Sequence, residues 1–259
     1  MNQHSRFSGT ARLYGEQGLQ ALEQACVMVI GIGGVGSWTA EALARTAVGK
    51  IILVDLDDIA QSNINRQIHA LDSSIEQAKV AVMQSRILAI NPDCKVQAIE
   101  DFVTRDNVQT YIDKHIDVVI DAVDSVQAKA AIIAHCKRCK IKVISVGGAG
   151  GQIDPLQVNV ADLARTTQDP LTAKVRSILR REYNFSKNLK RSFGVPCVYS
   201  TEQLRYPTSE GNVSFAKTRQ QGAGKMDCST GFGASVGVTA TFGLVAASKA
   251  IDMIIKRAS

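Results

Sequence analysis

Residues 27–43 read VMVIGIGGVGSWTAEAL, and this stretch decides the fold. Four apolar residues enter a glycine cluster, and small or apolar residues at helical spacing follow it. This order predicts a buried strand, a tight loop and a helix. Because Gly31, Gly33, Gly34 and Gly36 carry no side chain, a phosphate can approach their backbone at the N-terminus of that helix. The loop alone also fits a nicotinamide-dependent dehydrogenase or a purely structural turn.

The alternation of strand and helix continues along the first part of the chain. Apolar runs predict strands, and segments of helical spacing predict helices. The predicted strands cover residues 27–30, 51–54, 95–99, 117–120 and 142–146, and the predicted helices cover residues 37–47, 78–90 and 127–137. We therefore predict an α/β fold with a doubly wound, mostly parallel, Rossmann-like sheet that helices cover on both faces.

After residue 151 the pattern loosens. Residues 171–183 predict a basic helix, whereas residues 184–224 are polar and show no strong periodicity. We interpret the latter as a long crossover loop, which in compact proteins is usually functional. The predicted organisation is a nucleotide-binding domain at residues 1–160 and a basic extension at residues 161–259 that packs on the same core.

Charge is divided unevenly along the 259 residues. The net charge is +6, but residues 1–150 hold 15 basic and 16 acidic side chains, whereas residues 151–259 hold 15 and 8. The positive excess therefore belongs to the second part. It indicates either a polyanionic partner or a solvated basic face.

The termini and the cysteines bear on location. The first residues lack the order of a secretory signal, so we expect a cytoplasmic protein whose scattered cysteines stay reduced. Residues 231–247 are uncharged but short for a bilayer, which needs about 20 residues. We interpret them as a buried helix, and membrane association through them is the minor alternative.

A series of polar residues follows the glycine loop at the predicted ends of strands. Arg and Lys in these places have no task in hydride transfer. An enzyme that breaks ATP between its α and β phosphates needs them, because negative charge grows on those oxygens. The series consists of Asp55 and Asp57, then Asn63, Arg66 and Gln67, then Lys79, and then Asp124.

This series resembles the ubiquitin-activating superfamily, which includes the adenylyltransferases that activate sulfur-carrier proteins. The resemblance spans residues 1–150 and implies an ATP site. It implies that Asp55 holds the ribose, that Asp57, Asn63 and Gln67 order the pocket, that Arg66 and Lys79 bind phosphates as catalytic cations, and that Asp124 is catalytic through a Mg²⁺ ion.

Two departures from the superfamily pattern stand out. Gly9 occupies the place of an arginine that, in many members, reaches the ATP of the partner subunit, and Arg6 or Arg12 would have to replace it. Many members also bind zinc with two CxxC pairs, but only Cys136 and Cys139 form such a pair here. We predict no structural zinc. The superfamily further implies a homodimer.

The basic segment carries aromatic residues between its cations. Cations meet phosphates and rings stack on exposed bases, so this composition suits RNA. A solvated helix face would look the same. The cations are Lys174, Arg176, Arg180, Arg181, Lys187, Lys190 and Arg191, and the rings are Tyr183, Phe185 and Phe193.

The whole chain resembles the tRNA threonylcarbamoyladenosine dehydratases, through GGAGGQIDP at residues 147–155, QDP at 168–170, KMDC at 225–228 and GFG at 231–233. This resemblance implies an ATP-dependent enzyme that activates the threonyl carboxylate of a modified tRNA adenosine, after which a carbamoyl nitrogen closes a hydantoin ring. It also implies tRNA as a partner and leaves room for a cysteine-desulfurase sulfur-relay protein. Two alternatives are an adenylyltransferase for a ubiquitin-like sulfur carrier and a nucleotide-sensing module without turnover.

Cys228 is a candidate for a second catalytic function. A Gly- and Ser-rich segment with Lys225 nearby would expose a thiol and lower its pKa, which suits a sulfur acceptor or an acyl carrier. Ring closure does not require a thiol. A small structural residue at the start of the last helix is the competing interpretation.

Overall fold

The apolar run before the glycine loop forms β1, the third strand of a seven-stranded sheet with the order β3-β2-β1-β4-β5-β7-β6. The structure is a computed structural model that describes residues 6–208, 210–216 and 232–258. β1 to β5 and β7 run parallel, and β6 pairs antiparallel with β7. The strands are β1 (Cys26–Ile30), β2 (Lys50–Val54), β3 (Lys95–Ile99), β4 (Val118–Asp121), β5 (Lys142–Val146), β6 (Val158–Asp162) and β7 (Pro196–Ser200).

Helices cover both faces of this sheet. Side chains alternate along a strand, so Val27 and Val29 of β1 enter one core while Met28 and Ile30 enter the other. The first core includes residues of α1, α2, α3 and α7, and the second includes residues of α4, α5 and α6. The helices are α1 (Ser8–Gln24), α2 (Gly36–Arg45), α3 (Lys79–Ile90), α4 (Val108–Tyr111), α5 (Val126–Cys139), α6 (Pro170–Glu182) and α7 (Val236–Ala258).

The predicted doubly wound, mostly parallel sheet is confirmed, but the second part of the chain contributes more of it than the sequence indicated. β7 lies inside the segment that we predicted as a loop, and a short hairpin of β8 (Tyr206–Pro207) and β9 (Val213–Ser214) follows it. β7 begins at Pro196 within a polar stretch, and a proline in a short apolar run argues against a strand. The predicted domain boundary at residue 160 falls within β6.

The last helix belongs to the core. Its Phe242, Ala246 and Ala250 are fully buried, and a Cβ on Gly243 would lie 2.5 Å from the carbonyl oxygen of Val35. Helices α2 and α7 therefore pack with their backbones close together. By length and composition alone α7 could cross a membrane, but half of its apolar stretch is buried, as is typical of core helices.

A fully buried ion pair joins the end of β4 to α5. The Lys129 ammonium lies 2.9 Å from Asp121 Oδ2 and donates to the Asp121 carbonyl oxygen at 3.2 Å. The Ser145 hydroxyl, on β5, donates to the same carboxylate at 2.9 Å. Burial raises the pKa of Asp121, and the positive charge of Lys129 opposes that rise. The network fixes where β4 ends and where the following loop begins.

We predict that Lys129→Met destabilises the protein by about 3–5 kcal/mol, because it leaves the buried Asp121 carboxylate without its counter-charge. Adding Asp121→Asn should recover a large part of the loss, since no uncompensated charge is then buried. Urea unfolding of the wild type, both single variants and the double variant measures the coupling. A double variant no more stable than Lys129→Met would contradict this account.

Candidate active site

The site lies at the carboxyl edge of the sheet, where β1 and β4 are neighbours. The chain leaves β1 for α2 on one face and leaves β4 for α5 on the other. In doubly wound sheets such a point opens a crevice that binds ligands. The two loops touch, since a Cβ on Gly31 would lie 2.8 Å from the carbonyl oxygen of Ala122.

The glycines of the loop have different tasks. Gly31 has a φ of 87°, a backbone conformation that favours glycine, and a Cβ on Gly36 would lie 1.7 Å from the Gly31 carbonyl oxygen. These two positions set the tight turn. Gly33 and Gly34 instead lie beside predicted site residues. A Cβ added to Gly33 would lie 3.8 Å from Gln67 Nε2, and one added to Gly34 would lie 3.3 Å from Arg66 Cδ. The bare backbone between them faces the crevice.

Asp55, directly after β2, holds the loop in place. Its Oδ2 accepts the Ile32 N–H at 2.6 Å, and its Oδ1 accepts the Asp57 N–H at 2.9 Å. Burial raises the pKa of Asp55, while Lys79 and the two N–H groups oppose that rise. The side chain predicted to hold a ribose therefore also positions the loop predicted to hold phosphates.

Lys79 is the first residue of α3, and only 6% of it is exposed. Its Nζ lies 2.7 Å from Asp57 Oδ2 and 3.9 Å from Asp55 Oδ1. A buried ammonium needs such partners. Lys79 lies at least 22 residues after the two acids in the sequence. In the fold the three side chains form one charged cluster beside the loop.

The segment after β2 brings Arg66 to the loop as well. Arg66 is half-buried, and its Nη1 donates to the Ser62 carbonyl oxygen at 2.8 Å and to Asn65 Oδ1 at 2.9 Å. Asn63 is buried, and its Oδ1 accepts the Ala60 N–H at 3.1 Å, which braces the turn that carries Arg66. The structure therefore assembles most of the predicted nucleotide residues in one place.

Asp124 is exposed on the loop at residues 122–125, which follows β4 and contacts the glycine loop through Ala122. Mg²⁺ commonly takes one or two carboxylates and completes its shell with substrate phosphates and water. One accessible carboxylate beside a phosphate loop fits that pattern. Within the described ranges, no cluster of three or more His, Cys, Asp or Glu side chains could hold a metal ion. The prediction about zinc stays a prediction.

A second loop at this edge follows β5, and the sequence did not reveal how it is held. Asp169 caps α6 through the N–H groups of Leu171 and Thr172, and its Oδ2 accepts the Gly148 N–H at 3.0 Å. A Cβ on Gly147 would lie 1.9 Å from that oxygen. The start of the basic helix is therefore fixed against the glycines after β5. The QDP and GGAGG motifs meet here, although 16 residues lie between them in the sequence.

The predicted RNA-binding cations divide into two groups. The Arg176 guanidinium donates to Thr166, to Thr172 and to the Leu163 carbonyl oxygen, and Arg180 stacks on the Phe193 ring at 5.3 Å. These two side chains brace α6 and the loop after it. The others are exposed, namely Lys174, Arg181, Lys187, Lys190 and Arg191. Cys228 lies outside the described residues.

His69, two residues after Gln67, is buried without a hydrogen bond. Only 1% of it is exposed, and neither ring nitrogen has a partner within the described part of the chain. Burial, together with the smaller effects of the nearby positive charges of Lys79 and Arg86, lowers its pKa from 6.5 to about 4. The imidazole is therefore neutral near pH 7.

Comparisons with known proteins agree on one family for this chain. The ThiF family model matches residues 7–259. The tRNA threonylcarbamoyladenosine dehydratase of Escherichia coli is 54% identical over 254 residues, which are 98% of this chain and 95% of that one. The enzyme of the same name from Haemophilus influenzae is 49% identical over 258 residues, which are 100% of this chain and 96% of that one.

Solved structures agree. The E. coli dehydratase in complex with ATP superposes with a TM-score of 0.87 and 50% identity, covering 98% of this chain and 96% of that one. The E. coli adenylyltransferase for the sulfur carrier ThiS is also similar, at 33% identity, but the match covers 52% of this chain and 55% of that enzyme. The similarity to the dehydratase thus extends over the basic second part of the chain.

We predict that His69 makes the protein less stable as pH falls from 6.5 to 4. In that window the unfolded chain binds a proton at this imidazole that the folded protein does not, which costs about 3 kcal/mol in total. Urea unfolding at several pH values should show that the free energy of unfolding of His69→Leu decreases less steeply as the pH falls. His115→Leu, at an exposed histidine, should keep the wild-type dependence. Identical pH profiles for His69→Leu and the wild type would contradict the prediction.

Proposed function

Because the chain belongs to the ThiF family, and because its similarity to one branch runs from end to end, we propose that it dehydrates threonylcarbamoyladenosine in tRNA to the cyclic hydantoin form with ATP. The observation that carries this proposal is the full-length identity to the dehydratases. The similarity to the ThiS adenylyltransferase covers only about half of this chain, so the sulfur-carrier alternative has less support.

The reaction needs a leaving group that the substrate lacks. A carboxylate is a poor electrophile, so ATP converts the threonyl carboxylate to a mixed anhydride with a phosphoryl group. The carbamoyl nitrogen then attacks the acyl carbon, loses its proton and closes the ring. The oxygen that would have left as water departs with the phosphate.

The described residues supply what this activation requires. The backbone N–H groups at Gly33 and Gly34 and at the N-terminus of α2 donate to phosphate oxygens, while Asp55 accepts from the ribose hydroxyls. Lys79 and Arg66 border the same loop and stabilise the charge that grows as the phosphate bond breaks. Asp124 would hold Mg²⁺, which neutralises phosphate charge when bound.

We propose that the tRNA binds to the exposed cations of α6 and of the loop after it. α6 begins at the glycines after β5, and so its charges extend from the crevice outwards. RNA phosphates fit such a row because cations release the counterions of the backbone. The target base would stack and react in the crevice itself.

A homodimer, a sulfur-relay partner and a cytoplasmic location also belong to the proposal, on the strength of the superfamily resemblance. If a partner subunit needs an arginine at its ATP, Arg12 suits that task better than Arg6. Both side chains are exposed, but the Arg6 guanidinium donates to the Ile90 carbonyl oxygen of its own chain at 2.7 Å, whereas Arg12 has no such hydrogen bond within the described residues. Gly9 is also exposed and has no neighbour within 4 Å of an added Cβ.

We predict that Asp124→Ala abolishes formation of the cyclic nucleoside and leaves the fold intact, since the side chain is exposed. The test incubates tRNA bearing threonylcarbamoyladenosine with enzyme and ATP and measures the nucleosides by mass spectrometry. Asp106→Ala, at another exposed loop aspartate, is the matched control and should stay active. No cyclic product from the wild type would sink the proposed function, and an active Asp124→Ala would remove the metal role.

We further predict that Cys228→Ser keeps most of the dehydratase activity and loses any capacity to carry a persulfide. Intramolecular attack by the substrate's own nitrogen can reach effective molarities of roughly 10⁵ M or more, so no enzyme thiol is needed. Single-turnover formation of the cyclic nucleoside measures the first part. A variant that binds ATP and tRNA normally but forms no product would instead indicate an acyl-enzyme.

A further inference from the structure

A cleft opens at the amino edge of the sheet, on the side away from the active site. β5 and β7 pair only at Ser145 with Cys197 and at Val146 with Val198, so the first half of β5 has no partner on β7. The chain that enters β7 lies apart from the start of β5, and the gap between them is a cleft of about 590 Å³. Its lining comes from the starts of β5 and β7, the ends of β6 and α5, and the second half of α7.

Four lysines and one acid line this cleft, namely Lys137, Lys140, Lys142, Lys249 and Asp162. Asp162 can balance only one of these four positive charges, and its oxygens are held by the backbone. Its Oδ1 accepts the N–H groups of Ala164 and Phe193, and its Oδ2 accepts those of Gly194 and Val195, all within 3.1 Å. The carboxylate therefore braces the backbone. Because the lysines outnumber the acid, the cleft keeps an excess of positive charge.

The ammonium groups differ in how they are held. Lys137 donates to the Gly194 carbonyl oxygen at 3.3 Å, and Lys249 pairs with Asp252 at 3.1 Å. Lys140 and Lys142 are exposed, and neither ammonium has an ion pair within the described ranges. Lys140 also has a φ of 59°, a conformation in which glycine or asparagine usually closes a helix. A lysine stands there despite the strain.

The cleft continues the row of cations that starts at the active site. α6 begins beside Gly148 at the carboxyl edge and, with 13 residues, extends about 20 Å towards the amino edge. Arg181 lies near its end, and Lys187, Lys190 and Arg191 follow on a loop fixed to Asp162 through Phe193 and Gly194. Gly194 is itself part of the cleft wall.

We propose that the lysine cleft binds the phosphate backbone of the substrate RNA, at the far end of a cationic track that begins at the reactive adenosine. This inference rests on the proposed function. A strand of five residues spans about 17 Å, so the cleft is reached by a folded RNA stem and not by the few nucleotides around the target. Recognition through backbone phosphates reads the shape of the RNA rather than its sequence.

The test removes two charges without straining the fold. Lys140→Gly suits the left-handed backbone, and Lys142→Thr suits the first residue of a strand. The matched control is Lys50→Thr with Lys95→Thr, which removes two lysines from the starts of β2 and β3, away from the cleft. We expect the cleft variant to bind tRNA roughly tenfold more weakly and to lose roughly 1–2 units of the slope of log affinity against log salt.

A second RNA separates the cleft from the active site. A single-stranded oligonucleotide that carries the modified adenosine and its immediate neighbours should bind the cleft variant and the wild type equally, because it cannot reach the amino edge. Equal losses for tRNA and oligonucleotide, or a tRNA salt slope like that of the control variant, would overturn the inference. A wild type that shows the cleft-dependent slope but forms no cyclic nucleoside would count against the proposed function and leave the RNA contact standing.

Discussion

The contact on which the rest of the site depends is the hydrogen bond from the Ile32 N–H to Asp55, 2.6 Å long. It joins the end of β2 to the loop after β1 and therefore sets the position of every N–H group that could face a phosphate. The contact exists because Gly31 and Gly36 let the loop turn back within a distance that any Cβ would block. The buried carboxylate is tolerated because Lys79 and two N–H groups offset its desolvation.

Two further buried carboxylates hold the neighbouring strand ends in the same manner. Asp121 ties β4 to α5 and β5 through Lys129 and Ser145, and Asp169 ties the loop after β5 to α6 through Gly148. Each of these acids is nearly or fully buried, and each has its oxygens occupied by donors. A rigid carboxyl edge results, and such an edge can keep a nucleotide and an RNA base in reacting geometry.

The two edges of the sheet thus have opposite character. The carboxyl edge combines glycine loops with buried acids and their paired cations, whereas the starts of the strands carry lysines such as Lys50, Lys95 and Lys142. α6 links the edges along the part of the sheet that contains β5, β6 and β7. The exposed cations of α6 and of the loop after it therefore extend along one side of the sheet instead of forming a patch around the active site.

The sequence by itself predicted the doubly wound sheet, which the structure confirms, because strand–loop–helix periodicity is a local signal. It also gave Asp55, Arg66, Lys79 and Asp124 nucleotide roles through the superfamily resemblance, and these roles stay predictions. The tasks of Lys129 and Asp169 had no local signal: Lys129 pairs with Asp121, and Asp169 of the QDP motif accepts the Gly148 N–H only in the folded chain. β7 was missed because its short apolar run begins at a proline within a polar stretch, a pattern that argues against a strand. Only the tertiary structure decided which cations are exposed, because exposure depends on what packs against each side chain. Arg176 and Arg180 brace the protein, whereas Lys140 and Lys142, which no motif marked, open onto a cleft beside the starts of β5 and β7.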